Sequence, residues 1–519
     1  MSSDAKYRER IQGLLDELNE GLYERESIMA STLLTVLSGQ SVFLYGPPGT
    51  AKSLVARRIS SVFENSSYFE YLMQRFSTPE DVFGPISISE LKKDNYVRKT
   101  ENYLPTADFA FLDEIWKSSP AILNTLLTII NEKRFKNGNE MVQVPLKALI
   151  SASNEFPQPN SGLDALYDRF ITRIVVNPME DVENFHKMIS TNDVKSFIQP
   201  SKPITIAEWK DISSRSASIL ISEESFAAID YIKRAIYEFN LKREMPPIYV
   251  SDRRWQKAMV LLKTSALLND RTDVSLNDVL ILSDCLWSSE EDSEVILKIV
   301  CDSYLISMLD KVDIDKWISD YQEALQDIES YKDERVANLK DKLSKNKDYI
   351  EIGGNSGFFK STFNNNRTNI TAKDAGDHLE LIITDSNGSC QSIDIGYDTL
   401  VKKNEQQLEF NGYSFSIRKY SDGTIHINCN NLYDELRFIL PKEYIDFDFP
   451  PTYKKNLLNL KDRLDSVVDS ITGSVEKISF DDQMFISSRC QGGIQDSLIS
   501  LIESLEAYSE EITKLCNSM

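Results

Sequence analysis

Histidine is nearly absent from this chain of 519 residues: there are three, His186, His378 and His426, and none lies four residues from another. That argues against a helical zinc site and against a histidine-assisted nucleophile. Six cysteines, at 285, 301, 390, 429, 490 and 516, include no Cys-x-x-Cys pair. They read as reduced structural thiols in a cytoplasmic protein, not as disulfides or a metal cage. Long apolar runs are missing too: stretches such as Leu126–Ile130 fall far short of the ~18 residues that a membrane span needs. Met1 to Gln12 is polar and lacks the apolar stretch of an export signal. Positive charge is in deficit, with 58 Lys and Arg against 80 Asp and Glu for a net charge of −22. Such a surface repels nucleic acid and anionic lipid on average, so nucleic acid is not an expected partner, and the short apolar runs predict no membrane span.

What the chain does have is Ser41 to Ser53, an apolar strand followed by Gly46, Pro47, Pro48, Gly49, Thr50, Ala51, Lys52 and Ser53, with Leu54 continuing into a helix. A glycine-rich turn at a helix N-terminus aims backbone N–H groups at a phosphate, Lys52 can bridge β- and γ-phosphates, and the Ser53 hydroxyl can hold Mg²⁺. Ala51 stands where the common pattern has glycine. Alanine fits if the backbone there is already helical, and not if it needs a positive φ.

With 41% hydrophobic residues, a chain this long should divide into roughly three or four domains. Apolar positions recurring at three and four from Tyr7 to Leu37 predict two amphipathic helices before the loop strand. Strands and helices then alternate to about residue 176, as in a parallel sheet covered by helices, and 205–300 reads as helical. Trp317, Tyr321, Ala324, Ile328 and Tyr331 step by four and three, predicting one long helix over Leu305 to Leu343. Similar stripes run from Leu457 to Ile471 and from Ile494 to Leu515. Between them the period becomes two, with Asn411-Gly412 and Asp422-Gly423 as hairpin signals. The expected layout is a β-rich domain, 348–450, inserted into a discontinuous three-helix bundle of 301–347 and 451–519.

Several polar residues end apolar strands. Phe109 to Leu112 leads into Asp113 and Glu114; Asp113 could hold Mg²⁺ and Glu114 could polarise a lytic water at the C-terminal edge of a sheet. Ala148 to Ser153 ends in Asn154, which either orients that water or makes an Asx-turn. Asp168-Arg169-Phe170 and the following Arg173 offer guanidinium groups suited to phosphate, including across a subunit boundary. Ser251 and Asp252 cap a helix whose first turn carries Arg253 and Arg254, from which an arginine could reach back to the nucleotide.

In this order the motifs resemble the AAA+ ATPases, and more narrowly their MoxR branch, in which Ala before the loop lysine is a familiar variant. Gly21–Arg25, Arg75–Pro85, Phe111–Trp116, Ala121–Leu127 and Ser251–Trp255 are similar to the RavA-type regulatory members. That similarity covers about residues 7 to 290, and beyond 300 it is one of layout. It implies an α/β AAA+ module, 1–200, a parallel sheet with helices on both faces, with a helical lid, 201–300, ahead of the bundle and its inserted β domain. It further implies ATP and Mg²⁺ as cofactors and Gly46 to Ser53 as the Walker A loop. Asp113 and Glu114 become Walker B, Asn154 sensor 1, Arg169 the arginine finger and Arg253 sensor 2, with Arg254 its rival. Tyr23 would lie near the adenine, Arg75–Tyr103 would be the helix-2 insert and Arg134–Pro145 the pre-sensor hairpin. The implied function is a cytoplasmic homo-oligomeric ring, a hexamer, that couples ATP hydrolysis to remodelling or regulating a partner protein held by residues 348–450. In RavA-type members that partner is an inducible lysine decarboxylase, but the β domain here does not visibly repeat their sequence. A nucleotide-dependent scaffold with little hydrolysis is the alternative, and a nucleic-acid motor the more distant one.

Overall fold

Strand β1 (Ser41–Tyr45) is the axis of the first half of the chain, because four of its five residues are fully buried and neighbours pair with it on both sides. The computed structural model describes residues 7–519 apart from 158–162, 191–194, 244–245, 310–311, 347–348, 353–356, 361–367, 386, 403–404, 411–412, 430–434 and 476–477. The chain divides into two compact units, residues 1–311 with 471–503, and residues 312–470 with 504–519.

In the first unit, β2 (Tyr68–Leu72), β3 (Phe109–Asp113), β6 (Ala148–Ser153), β1 and β7 (Phe170–Val175) form a five-stranded parallel sheet in the order β2-β3-β6-β1-β7. Strands β4 (Arg134–Asn137) and β5 (Glu140–Gln143) make a separate hairpin. β3 and β6 are buried along nearly their whole length, as strands covered on both faces are, although β6 carries Ser151 and Ser153. Phe43, Leu112, Leu126, Leu149 and Phe170 share one buried core.

Of the helices α1 (Tyr7–Asn19) and α2 (Glu26–Leu37), only α1 is amphipathic. Every residue of α2 from Ile28 to Leu37 is buried, and Thr32 and Thr35 satisfy their hydroxyls on the carbonyls of Ile28 and Ser31. This corrects the expectation of a solvated face. Helix α3 (Lys52–Ser60) follows the phosphate loop. The helices Ile206–Ser216, Glu223–Lys242, Asp252–Leu268 and Glu290–Met308 make up most of the region after β7, with one two-residue pair of strands at Leu220–Ile221 and Asp273–Val274.

Residues 483–503 join this unit through buried polar contacts. Gln483 Nε2 donates to Ser265 Oγ at 2.9 Å, Asn269 Nδ2 donates back to Gln483 Oε1 at 2.9 Å, and Cys490 lies 3.9 Å from Cys301.

In the second unit, a helix over Val312–Ser344 is separate from the helix that ends at Met308, so the single helix expected from Leu305 is interrupted. Trp317, Tyr321 and Ile328 are buried along its stripe. Trp317 Nε1 donates to the Leu460 carbonyl at 2.7 Å on the helix Pro451–Val475, and Trp317 and Tyr321 meet Tyr508 of the helix Ser488–Ser518 edge-on. Between these helices lie a six-stranded and a three-stranded antiparallel sheet. The Asp422-Gly423 turn joins Tyr413–Lys419 to Thr424–Cys429, with Gly423 at φ +82°. Asn411-Gly412 lies outside the described residues.

Candidate active site

The end of β1 is pinned on both sides, by Val176 N–H to the Tyr45 carbonyl at 2.7 Å and by Gly46 N–H to the Ser153 carbonyl at 3.2 Å. Gly46 has φ +156°, and a Cβ there would sit 2.2 Å from the Val176 carbonyl oxygen, so only glycine fits. Gly49 has φ +83°. Ala51 has φ +65° and ψ 18°, the left-handed conformation, immediately before α3. The helical backbone that would suit alanine is therefore not what the loop adopts: Ala51 takes the shape of a glycine and bears about 1 kcal/mol of strain for it. Pro47, Pro48 and Gly49 are exposed, while Thr50 is buried and donates to the Pro47 carbonyl at 2.9 Å. Lys52 is buried, and its Nζ donates to the carbonyls of Gly46 at 2.8 Å and Pro47 at 2.7 Å. Burial lowers its pKa, and the carboxylates of Asp113 and Glu114 oppose that shift.

Parallel register sets the ends of three strands side by side. Tyr45 pairs with Ser153, and Asp113 with Ala152. Burial raises the Asp113 pKa and Glu114 adds to the rise, against the Glu114 backbone N–H at 3.0 Å, Lys52 and the Ser53 hydroxyl. Glu114 has φ +53°, a strained backbone of the kind held at working sites by its surroundings. Its carboxylate meets Lys117 Nζ at 3.1 Å and the Ser153 hydroxyl at 3.4 Å. Asn154 is exposed at the end of β6 beside them. Lys52, Ser53, Asp113 and Glu114 thus converge. Their hard oxygen donors, a hydroxyl and carboxylates, fit Mg²⁺, and a loop of N–H groups with a lysine fits a polyphosphate.

The arginines gather elsewhere. Arg169 immediately precedes β7, and Phe170 pairs with Ser41 at the start of β1 while Val175 pairs with Tyr45 at its end. In a parallel sheet that puts Arg169 at the edge opposite the phosphate loop, about 13 Å along β1. Arg169 Nε and Arg253 Nη2 both donate to Asn131 Oδ1, the latter at 2.9 Å. Arg253 therefore joins Arg169 and does not reach back to Lys52 of its own chain. Its neighbour Arg254 is buried and paired with Asp168 at 2.9 Å; Asp168 also accepts from the capping hydroxyl of Ser251 at 2.9 Å. Burial lowers the Arg254 pKa, and Asp168 opposes the shift. Arg253 is exposed. Arg173 is fully buried, donates to the Trp287 and Tyr167 carbonyls and stacks on the Tyr167 ring at 3.8 Å, which makes it a core residue.

Sequence reasoning missed Arg25. It is buried, its Nε donates to the Thr50 carbonyl at 3.2 Å and its Nη2 to the Asn177 carbonyl at 2.9 Å, bracing the phosphate loop from behind. It also lines a cavity of about 530 Å³ with Glu24, Ile28, Asn177, Asp284 and Arg489. Tyr23, singled out for this region, is half-buried and does not line that cavity. The Gly21–Arg25 stretch carried the signal, but nothing in it favoured Arg25 over Tyr23. Among the described residues no group of three or more His, Cys, Asp or Glu could hold a metal ion by itself, and no helix is long and apolar enough to cross a membrane.

Residues 9–200 match the family model of the MoxR domain in the MoxR-vWA-beta-propeller ternary systems, and residues 226–300 match that of an AAA lid domain. An uncharacterised protein of Methanocaldococcus jannaschii is 37% identical over 311 residues, 59% of this chain and 78% of its own length. A second from that organism is 38% identical over 283 residues, 54% of this chain and 72% of its own length. A structural protein of the Acidianus two-tailed virus is 30% identical over 164 residues, 31% of this chain and 26% of its own length.

Proposed function

Because the chain belongs to the MoxR family of AAA+ ATPases, we propose that it hydrolyses ATP to ADP and phosphate and couples that turnover to regulating or remodelling a partner protein. The observation that carries this reading is the convergence of Lys52, Ser53, Asp113 and Glu114 at one sheet edge. The loop N–H groups and Lys52 bind the phosphates, and Ser53 and Asp113 would hold Mg²⁺, which would supply charge shielding of the terminal phosphates. Glu114 takes a proton from the attacking water as its oxygen bonds to the γ-phosphorus and the bond to the β-phosphate oxygen breaks, while Asn154 orients that water. Arg169 and Arg253, at the far edge, act on the nucleotide of a neighbouring copy, so the active form is a ring, a hexamer. Arg254 is a positioning residue that ties Ser251 and Asp168 together.

Exposed apolar side chains at Phe76, Ile88, Leu91 and Tyr96, with Met141 on the β4-β5 hairpin, suit a polypeptide client. Residues 348–450 are the proposed second contact with a partner. The matched family's ternary systems make a vWA protein with a β-propeller protein the first companions to test, and a lysine-decarboxylase-like enzyme the second. Replacing Glu114 by Gln in the full chain tests the chemistry: turnover falls by about 100-fold or more while ATP affinity stays within threefold. Equal turnover in both proteins overturns the assignment of Glu114, and absence of ATP binding in the wild type overturns the reading as a whole.

A further inference from the structure

Two lysines stand beside the arginine pair in a place that the proposed reaction leaves unexplained. Lys257 follows Arg253 by four residues on the helix Asp252–Leu268, so the two share a face. Lys133 follows Asn131, the residue that accepts from both Arg169 and Arg253, by two positions. There the helix Pro120–Glu132 ends and the chain reverses through a left-handed Lys133 at φ +54°, with the Lys133 N–H on the Ile129 carbonyl at 2.9 Å. Lys133 and Lys257 are both half-buried.

These charges act on one another in series: Lys257 on Lys133, Arg253 on Lys257, and Arg253 on Arg169. Among the described residues, the carboxylate paired with a member of this series is Asp168, which meets Arg169 Nη1 at 3.4 Å and is shared with Arg254 and the Ser251 hydroxyl. A helix C-terminus favours cations, but four gather here in a chain whose net charge is −22. Burial, with a smaller contribution from Lys257, pushes the Lys133 pKa down to about 8. A multiply charged oxyanion is the ligand that relieves such an arrangement.

Its own chain cannot supply one, since the phosphate loop is at the opposite edge of the sheet, about 13 Å along β1. A second copy, docked head to tail, presents its phosphate-loop edge to this one, and that type of contact closes into a ring. Resting on the ATPase reading above, we infer that Lys133 and Lys257 complete, with Arg169 and Arg253, an oxyanion clamp for the terminal phosphate of a nucleotide held by a second copy of this chain.

The test is turnover per protomer of the full chain from dilute to concentrated protein, for wild type, K133Q/K257Q, K133R/K257R and R169Q, with assembly followed by sedimentation. K133Q/K257Q should assemble as the wild type does, yet its turnover should rise at least tenfold less from dilute to concentrated protein. K133R/K257R should keep at least half of the wild-type rise. Lysines of merely structural importance would lower the assembly or the thermal midpoint of K133Q/K257Q, which overturns the inference. So does a wild-type rise in K133Q/K257Q: with R169Q flat, the clamp alone is refuted and the ATPase reading stands, whereas with R169Q also rising, the trans-acting arginine is refuted with it. Titration of nucleotide-free protein with inorganic phosphate separates the two sources of oxyanion. Phosphate binding lost in K133Q/K257Q while the concentration-dependent rise survives assigns the cluster to free phosphate and overturns the inference.

Discussion

Gly46→Ala is the sharpest perturbation of the phosphate loop. The added Cβ would meet the Val176 carbonyl oxygen at 2.2 Å and its carbon at 3.1 Å, both backbone atoms. Ordinary contact requires the loop to move by about 1 Å, and the end of β1 cannot yield freely because Tyr45 and Gly46 are hydrogen-bonded to β-strand neighbours on both sides. Loss or distortion of those two bonds costs about 2 kcal/mol, and the unfavourable φ of +156° adds about 1 kcal/mol more. About 3 kcal/mol, expressed in the loop geometry, weakens ATP or ADP binding by about 100-fold. Ala51→Gly is the matched control of opposite sign. It relieves a left-handed alanine but loosens the unfolded chain, so stability changes by less than about 1 kcal/mol and affinity is retained. Isothermal titration with ADP and ATP, alongside thermal unfolding, measures both. Affinity within threefold of the wild type for Gly46→Ala would refute the argument that close approach to Val176 sets the loop.

The adjacent arginines should separate by stability and activity. Arg254→Ala leaves Asp168 with a buried partner missing and destabilises by about 3 kcal/mol in denaturant unfolding, whereas exposed Arg253→Ala stays within about 0.5 kcal/mol and loses turnover. Asp284, buried beside Ser31, has its pKa raised to about 6 by desolvation, with Arg489 and the Ser31 hydroxyl opposing. A raised carboxyl pKa makes its contribution to stability complete below about pH 4 and lost as pH climbs through 6, a difference worth about 3 kcal/mol. Asp284→Asn should therefore stabilise by roughly that amount at pH 7.5 and by little at pH 4, and a gain independent of pH contradicts the assignment.

The nucleotide side of the site was legible because its parts are local: a strand, a turn and a helix start in thirteen residues, then a strand ending in Asp113 and Glu114. Strand direction then explains why Lys52 and Asp113 meet and Arg169 does not join them. Choosing between Arg253 and Arg254 was beyond the sequence, since adjacent residues on a helix point about 100° apart and either could face a phosphate. Asp168 pairs with Arg254 and leaves Arg253 exposed beside Arg169. The backbone of Ala51 was also hidden, because side-chain type disfavours a left-handed φ without forbidding it. In α2 the three-and-four spacing of apolar residues predicted an amphipathic helix, but its Thr32 and Thr35 hydroxyls bond within the helix or to buried neighbours, so no solvated face is needed. The heptad stripe from Ile494 to Leu515 gave no sign that the chain passes from one compact unit to the other at 503, since the same spacing of apolar residues serves packing in both.

The central claim is that hydrolysis at the Lys52, Asp113 and Glu114 edge is completed by arginines from another copy. Steady-state ATP turnover per protomer of the wild-type chain, measured from dilute to concentrated protein, tests it most directly. The account predicts a rise of at least 100-fold as the protein assembles, less than the ~10³ to 10⁵ that such an arginine contributes elsewhere because the dilute protein is already partly assembled. Turnover that is constant across that range, with assembly verified at its upper end, would contradict it.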